Sequence, residues 1–91
     1  MDKLSNAQVQ AKRAEAQQIG VTLHVGKNGV TPTTVEELSS QLKKRKLVKV
    51  RLLPSSAEAG ASHQEQAEAL AAGTHSLLIE VRGHTAVFFR P

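Results

Sequence analysis

Between residues 21 and 52 the chain alternates apolar and polar side chains twice, and a glycine-bounded loop and a helical pattern lie between the two runs. Val21, Leu23 and Val25 alternate with Thr22 and His24, which predicts a strand with one buried face that stops at Gly26. Gly26-Lys27-Asn28-Gly29 follows, and Val30-Thr31-Pro32-Thr33 opens a helix. Either Thr31 or Thr33 can cap it, Pro32 is tolerated in the first turn, and Glu36 and Glu37 favour the positive end of the dipole. Val35, Leu38 and Leu42 recur at i, i+3 and i+7 on its inner face, and Lys43 to Lys46 close its last turn. Leu47 to Leu52 then alternates again, with Val48, Val50 and Leu52 on one face and Lys49 and Arg51 on the other.

The flanking segments complete an αβαβαββ order. Ser5 or Asn6 caps a first helix reaching to about Gln18, with Leu4, Ala7, Ala11 and Ala14 on a shallow apolar face and Gly20 ending it. Pro54 to Gly60 reads as a small-residue loop into a third helix at about Ser62 to Ala72, with Ala67, Leu70, Ala71 and Thr74 inside, Glu65 and Glu68 outside, and Gly73 as its end. Leu77 to Arg82 and Thr85 to Arg90 form a hairpin turned by Gly83-His84 in a type II′ loop that pairs Arg82 with Thr85. Strict alternation then puts Leu77, Ile79, Val81 and Phe88 on one face and Leu78, Glu80, Val87 and Phe89 on the other. One face must pack on the second and third helices, and the first helix is expected over the other.

At 91 residues there is room for one domain and one core, burying roughly 60–65% of the unfolded surface. The absence of cysteine excludes disulfides and thiolate chemistry and fits a reducing interior, so a cytoplasmic location is expected. No apolar run is long enough to span a bilayer, and the first residues lack a signal-peptide core. His24, His63, His75 and His84 show no zinc-site spacing, and no nucleophile elbow, carboxylate pair or Walker lysine appears. Neither a cofactor nor an enzymatic activity is expected.

What the chain does offer is a place for an anion. Two glycines let the backbone approach a ligand, Lys27 supplies charge between them, and the following helix aims N–H groups at the same point. A glycine pair at this spacing also occurs in many loops that only turn the chain. The surrounding charge adds weight: Lys43, Lys44, Arg45, Lys46, Lys49 and Arg51 hold half of the 12 Lys and Arg residues, with no acid among them, in a chain of net charge +4. Helix-end stabilisation accounts for Lys43 to Lys46 but not for Lys49 and Arg51. Phe88 and Phe89 are the whole aromatic content, so base stacking across a sheet is not expected, although Phe89 could be an exposed platform. Recognition would be through backbone and shape.

These residues resemble the CRM domain, the chloroplast RNA splicing and ribosome maturation module, and its single-domain YhbY-like members. The resemblance rests on Leu4-Ser5, Val25-Gly26-Lys27-Asn28-Gly29-Val30-Thr31, Leu47-Val48-Lys49-Val50, and Arg82-Gly83-His84-Thr85 through Phe89-Arg90-Pro91, and it covers nearly the whole chain. The glycine loop together with the closing Gly-x-x-x-x-x-x-Arg-Pro hairpin, Gly83 to Pro91, is its most specific part. It implies an α/β two-layer sandwich with a four-stranded mixed sheet, similar to the C-terminal domain of translation initiation factor three. It implies RNA binding through Gly26, Lys27, Asn28 and Gly29, as in KH domains, with neighbouring basic residues adding affinity. Lone-domain members are associated with precursors of the large ribosomal subunit. This chain departs from the family in its alanine-rich first and third helices and in Phe88-Phe89, where members often carry a tyrosine. The expectation is a monomeric RNA-binding protein of ribosome assembly. The alternative is a ribosome-associated adaptor whose glycine loop is structural and whose basic strand meets an acidic protein, which nuclease treatment would distinguish.

Overall fold

The strand–loop–helix–strand unit closes as a parallel pair. In a computed structural model that describes residues 4–54 and 62–91, β1 (Val21–Val25) and β2 (Leu47–Leu52) run side by side with α2 (Pro32–Arg45) returning the chain between them. The connection expected at Pro54 to Gly60 lies, after Pro54, outside the described residues. α1 (Asn6–Ala16) precedes this unit, and α3 (His63–Thr74), β3 (Leu77–Arg82) and β4 (Thr85–Phe89) follow it. β4 inserts antiparallel between β2 and β3, so the mixed sheet has the order β1-β2-β4-β3.

Capping decides the helix starts. Ser5 and Ser62 each form a reciprocal capping box, with Gln8 and Glu65 as the returning partners. Thr31 is the α2 cap, its hydroxyl accepting from the Thr34 N–H, and Pro32 opens the helix. Glu36 and Glu37 consequently lie beyond the first turn, which holds no acid, and the expected dipole benefit does not arise there. α3 continues through Gly73 to Thr74, and His75 ends it in the left-handed region at φ 53°. Gly73 is needed for a different reason: a Cβ there would stand 3.2 Å from Val35 Cγ1, so it lets α3 approach α2 closely.

The two-layer sandwich consists of the sheet against α2 and α3. Leu23, Val25, Val48, Val50, Leu52, Ala86 and Phe88 from the strands meet Leu38, Leu42, Ala67 and Leu70 from the helices, all buried. α1 covers part of the other face, where Ala16 joins Leu47, Ile79 and Val87, with Leu4, Val9, Ile19, Leu77 and Phe89 around them. Its docking side is the expected one but its docking face is not, because Ala7, Ala11 and Ala14 are exposed. The face carrying Val9, Lys12 and Ala16 offers more area, since Val9 outweighs an alanine and the Lys12 stem covers Phe89 with Nζ 4.5 Å from the ring centroid.

The hairpin has the expected Arg82–Thr85 register, and Gly83 takes φ 59°, as the first central residue of a type II′ turn requires. Its faces differ from strict alternation beyond Glu80. A register shift between Leu78 and Glu80 leaves Ile79 as an extra residue, so Leu78 joins Phe88 and Val81 toward α2 and α3 while Leu77 and Ile79 turn toward α1.

Candidate nucleic-acid interface

The glycine loop is a tight turn at the end of β1. The Gly29 N–H donates to the Gly26 carbonyl at 2.9 Å, which leaves Lys27 and Asn28 exposed at the corner. The two glycines are not equivalent. Gly29 is buried with φ 68°, a conformation that side-chain-bearing residues rarely adopt, so the turn itself demands it. Gly26 has no such constraint, and a Cβ added there would meet no atom within 4 Å. The helix opening is also poorer in donors than the sequence pattern implied. Pro32 has no N–H, and Thr34's is taken by the Thr31 hydroxyl, so of the first three helical positions only Thr33 carries an N–H outside the cap.

Backbone bonds fix what surrounds this loop. The Leu53 N–H donates to Val25 O at 3.0 Å and the Leu52 N–H to His84 O at 2.6 Å, so the ends of β1 and β2 and the Gly83-His84 turn lie side by side. The His84 ring also meets His63 at the start of α3, edge to face, with centroids 5.2 Å apart.

Of the expected cations, the structure brings Arg51 toward the glycine loop. Its Cα partner on β1 is His24, two residues before Gly26, and both side chains are exposed. Lys43, Lys44, Arg45 and Lys46 stand at the other end of α2, whose 14 residues place them roughly 20 Å away along the helix axis. Lys46 has a structural role there. With φ 66° and ψ −40° it reverses the chain directly into β2, and its carbonyl accepts from the Arg90 N–H. Arg45 and Lys49 line a groove of about 360 Å³ together with Glu15, Thr22 and Leu47, so an acid shares their surroundings.

Strand pairing adds two residues to the surroundings of the turn that sequence reasoning left out, Arg82 and Thr85. Arg82 and Thr85 continue the His24–Arg51 row across β4 and β3, and this position follows from the hairpin register once the strand order is known. Arg90, the arginine of the closing motif, is directed inward: Nη2 donates to Thr74 O at 2.7 Å and to Ser39 Oγ at 3.0 Å, and Nε donates to Thr74 O at 3.2 Å. It ties the end of β4 to α2 and to the last carbonyl of α3. Phe89 is not a free platform either, since it packs against the α1 face of the sheet beneath Lys12.

The chain is similar over its length to known proteins. The "Probable RNA-binding protein YqeI" of Bacillus subtilis is 30% identical over 87 residues, covering 96% of this chain and 88% of the relative. The solution structure of the hypothetical protein SAV1595 from Staphylococcus aureus superposes with a TM-score of 0.77 at 26% identity, covering 98% of this chain and 90% of that one. The sequence pattern of the CRS1 / YhbY (CRM) domain matches residues 4–90, which takes in every element from α1 to the Arg90 clamp. With the glycine turn, the mixed sheet and the closing hairpin all in place, this chain belongs to the CRS1 / YhbY (CRM) domain family.

Proposed function

We propose that this protein is a monomeric, non-enzymatic RNA-binding protein of the cytoplasm that grips structured RNA by its backbone at the Gly26–Gly29 turn and serves in assembly of the large ribosomal subunit. The observation that carries the reading is the inequality of the two glycines. Gly29 is explained by the turn, whereas neither φ nor packing calls for glycine at Gly26, beside two exposed residues at a helix opening. A phosphate resting on Gly26 needs the space that a Cβ would fill. Lys27 would pair with that phosphate, and the outward amides of Lys27 and Asn28 would donate to it, since the Gly29 N–H is already used. Family membership supports RNA as the partner, because the Bacillus relative carries that function in its name.

Lys43, Lys44, Arg45, Lys46 and Lys49 would contribute longer-range attraction rather than contacts at the turn. Replacing Lys27 and Asn28 with aspartate should abolish RNA binding while leaving circular dichroism and melting unchanged. Unaltered affinity would refute the turn as the site. Crosslinking in cells of origin tests the setting: large-subunit ribosomal RNA should be recovered with the native chain and lost with the double variant.

A further inference from the structure

We infer that an RNA strand seated on the glycine turn continues across the open end of the sheet, with phosphates held by Arg51 and Arg82, rather than along α2 to its basic C-terminus. This rests on the proposed RNA role of the turn and goes further by naming the path. Strand pairing lines up His24 (β1), Arg51 (β2), Thr85 (β4) and Arg82 (β3) in one row across all four strands. Partners in register point to the same face, and here it is the face opposite the main core, because Leu23, Val25, Val50 and Leu52 point into that core. The row spans three interstrand spacings, roughly 14 Å.

α1 does not cover this row. It sits over Leu47, Phe89 and Leu77 and over Val87 and Ile79, and it leaves His24, Arg51 and Arg82 exposed and Thr85 half-buried. Among the described residues, the acids on this face have cations of their own: Glu80 lies 3.7 Å from Arg13 and Glu15 lies 3.3 Å from Lys12. The row begins two residues before Gly26 and ends beside the Gly83-His84 turn, so it is continuous with the proposed phosphate seat. Two guanidinium groups and an imidazole on an uncovered sheet end suit a sugar–phosphate backbone and carry no base-reading pattern.

The test is a salt titration of binding to a labelled RNA hairpin with a single-stranded tail, using the native chain, the Arg51→Gln, Arg82→Gln double variant, and the Lys27→Asp, Asn28→Asp variant. Each lost phosphate contact lowers the slope of log K against log salt by about 0.7–0.9, so the arginine variant should lose roughly 1.4–1.8 with its melting unchanged. In the native chain, amide NMR signals of His24 and Thr85 should shift on adding RNA while those of Lys43, Lys44 and Arg45 stay still. An unchanged slope with silent His24 and Thr85 overturns the path and spares the turn, provided the aspartate variant still loses binding. A reduced slope with an unaffected aspartate variant overturns the continuity from the turn. No binding by the native chain overturns both readings.

Discussion

Arg90→Ala should destabilise the fold by about 2.5–4 kcal/mol without touching RNA affinity. The guanidinium makes two donations to one carbonyl, Thr74 O, and a third to Ser39 Oγ. Thr74 closes α3, so its carbonyl belongs to the negative end of the helix and lacks an intrahelical donor. A hydrogen bond to a charged group contributes about 1.5–3 kcal/mol net. The two donations onto Thr74 are not independent, so we count them as one such bond and add about 1 kcal/mol for Ser39. The Arg90 N–H bond to Lys46 O, at 2.9 Å, survives the substitution, so the loss is confined to the side chain. With a urea m-value of about 1–2 kcal/mol/M, the unfolding midpoint should fall by roughly 2 M. Arg90→Lys keeps a cation at the helix end but not the fork, and should recover about 0.3–1 kcal/mol. A loss below about 0.5 kcal/mol for alanine, or full recovery by lysine, would refute the clamp. RNA titrations at a temperature where both chains are folded should give one affinity; a selective loss of binding would place Arg90 at the interface instead.

Other substitutions separate structural from functional roles. Gly29→Ala should cost about 1–2 kcal/mol in thermal melts because of its left-handed backbone, whereas Gly26→Ala should stay within about 0.5 kcal/mol of native and weaken RNA binding. Ser62→Ala removes one arm of a reciprocal capping box, its bond to the Glu65 N–H at 3.1 Å, and should cost about 1 kcal/mol in denaturant titration. Lys46→Gly relieves a positive φ at the α2–β2 junction against a larger unfolded-state entropy, for a net gain of about 0.5–1 kcal/mol by the same assay.

The elements themselves were legible because each is a local pattern. Alternation marked β1 and β2, the polar residues before each apolar pattern narrowed the α1 and α2 starts to two candidate caps each, and Gly83-His84 placed Arg82 opposite Thr85. Where a local rule had two solutions, packing selected one. α1 could bury its alanine stripe or the stripe with Val9 and Ala16, and the sheet took the one with more area. The bulge at Ile79 was invisible to an alternation rule, because only the partner strand determines that one residue is extra.

The candidate site divides in the same way. Residues 26–29 are contiguous, so their turn and its exposed corner could be read directly from glycine spacing and the helix start that follows. The cations are a different matter, because linear proximity placed Lys43 to Arg51 in one group while α2 and its C-cap Lys46 carry four of them roughly 20 Å from the turn. Only the order β1-β2-β4-β3 brings Arg82, far along the chain, into a row with Arg51 and His24. Sequence by itself determined the elements and the glycine-bounded turn and narrowed the α1 and α2 caps to two candidates each, since these depend on backbone preferences within a few residues. Tertiary structure decided which charges share a surface, since that depends on strand pairing and on which faces the helices leave uncovered.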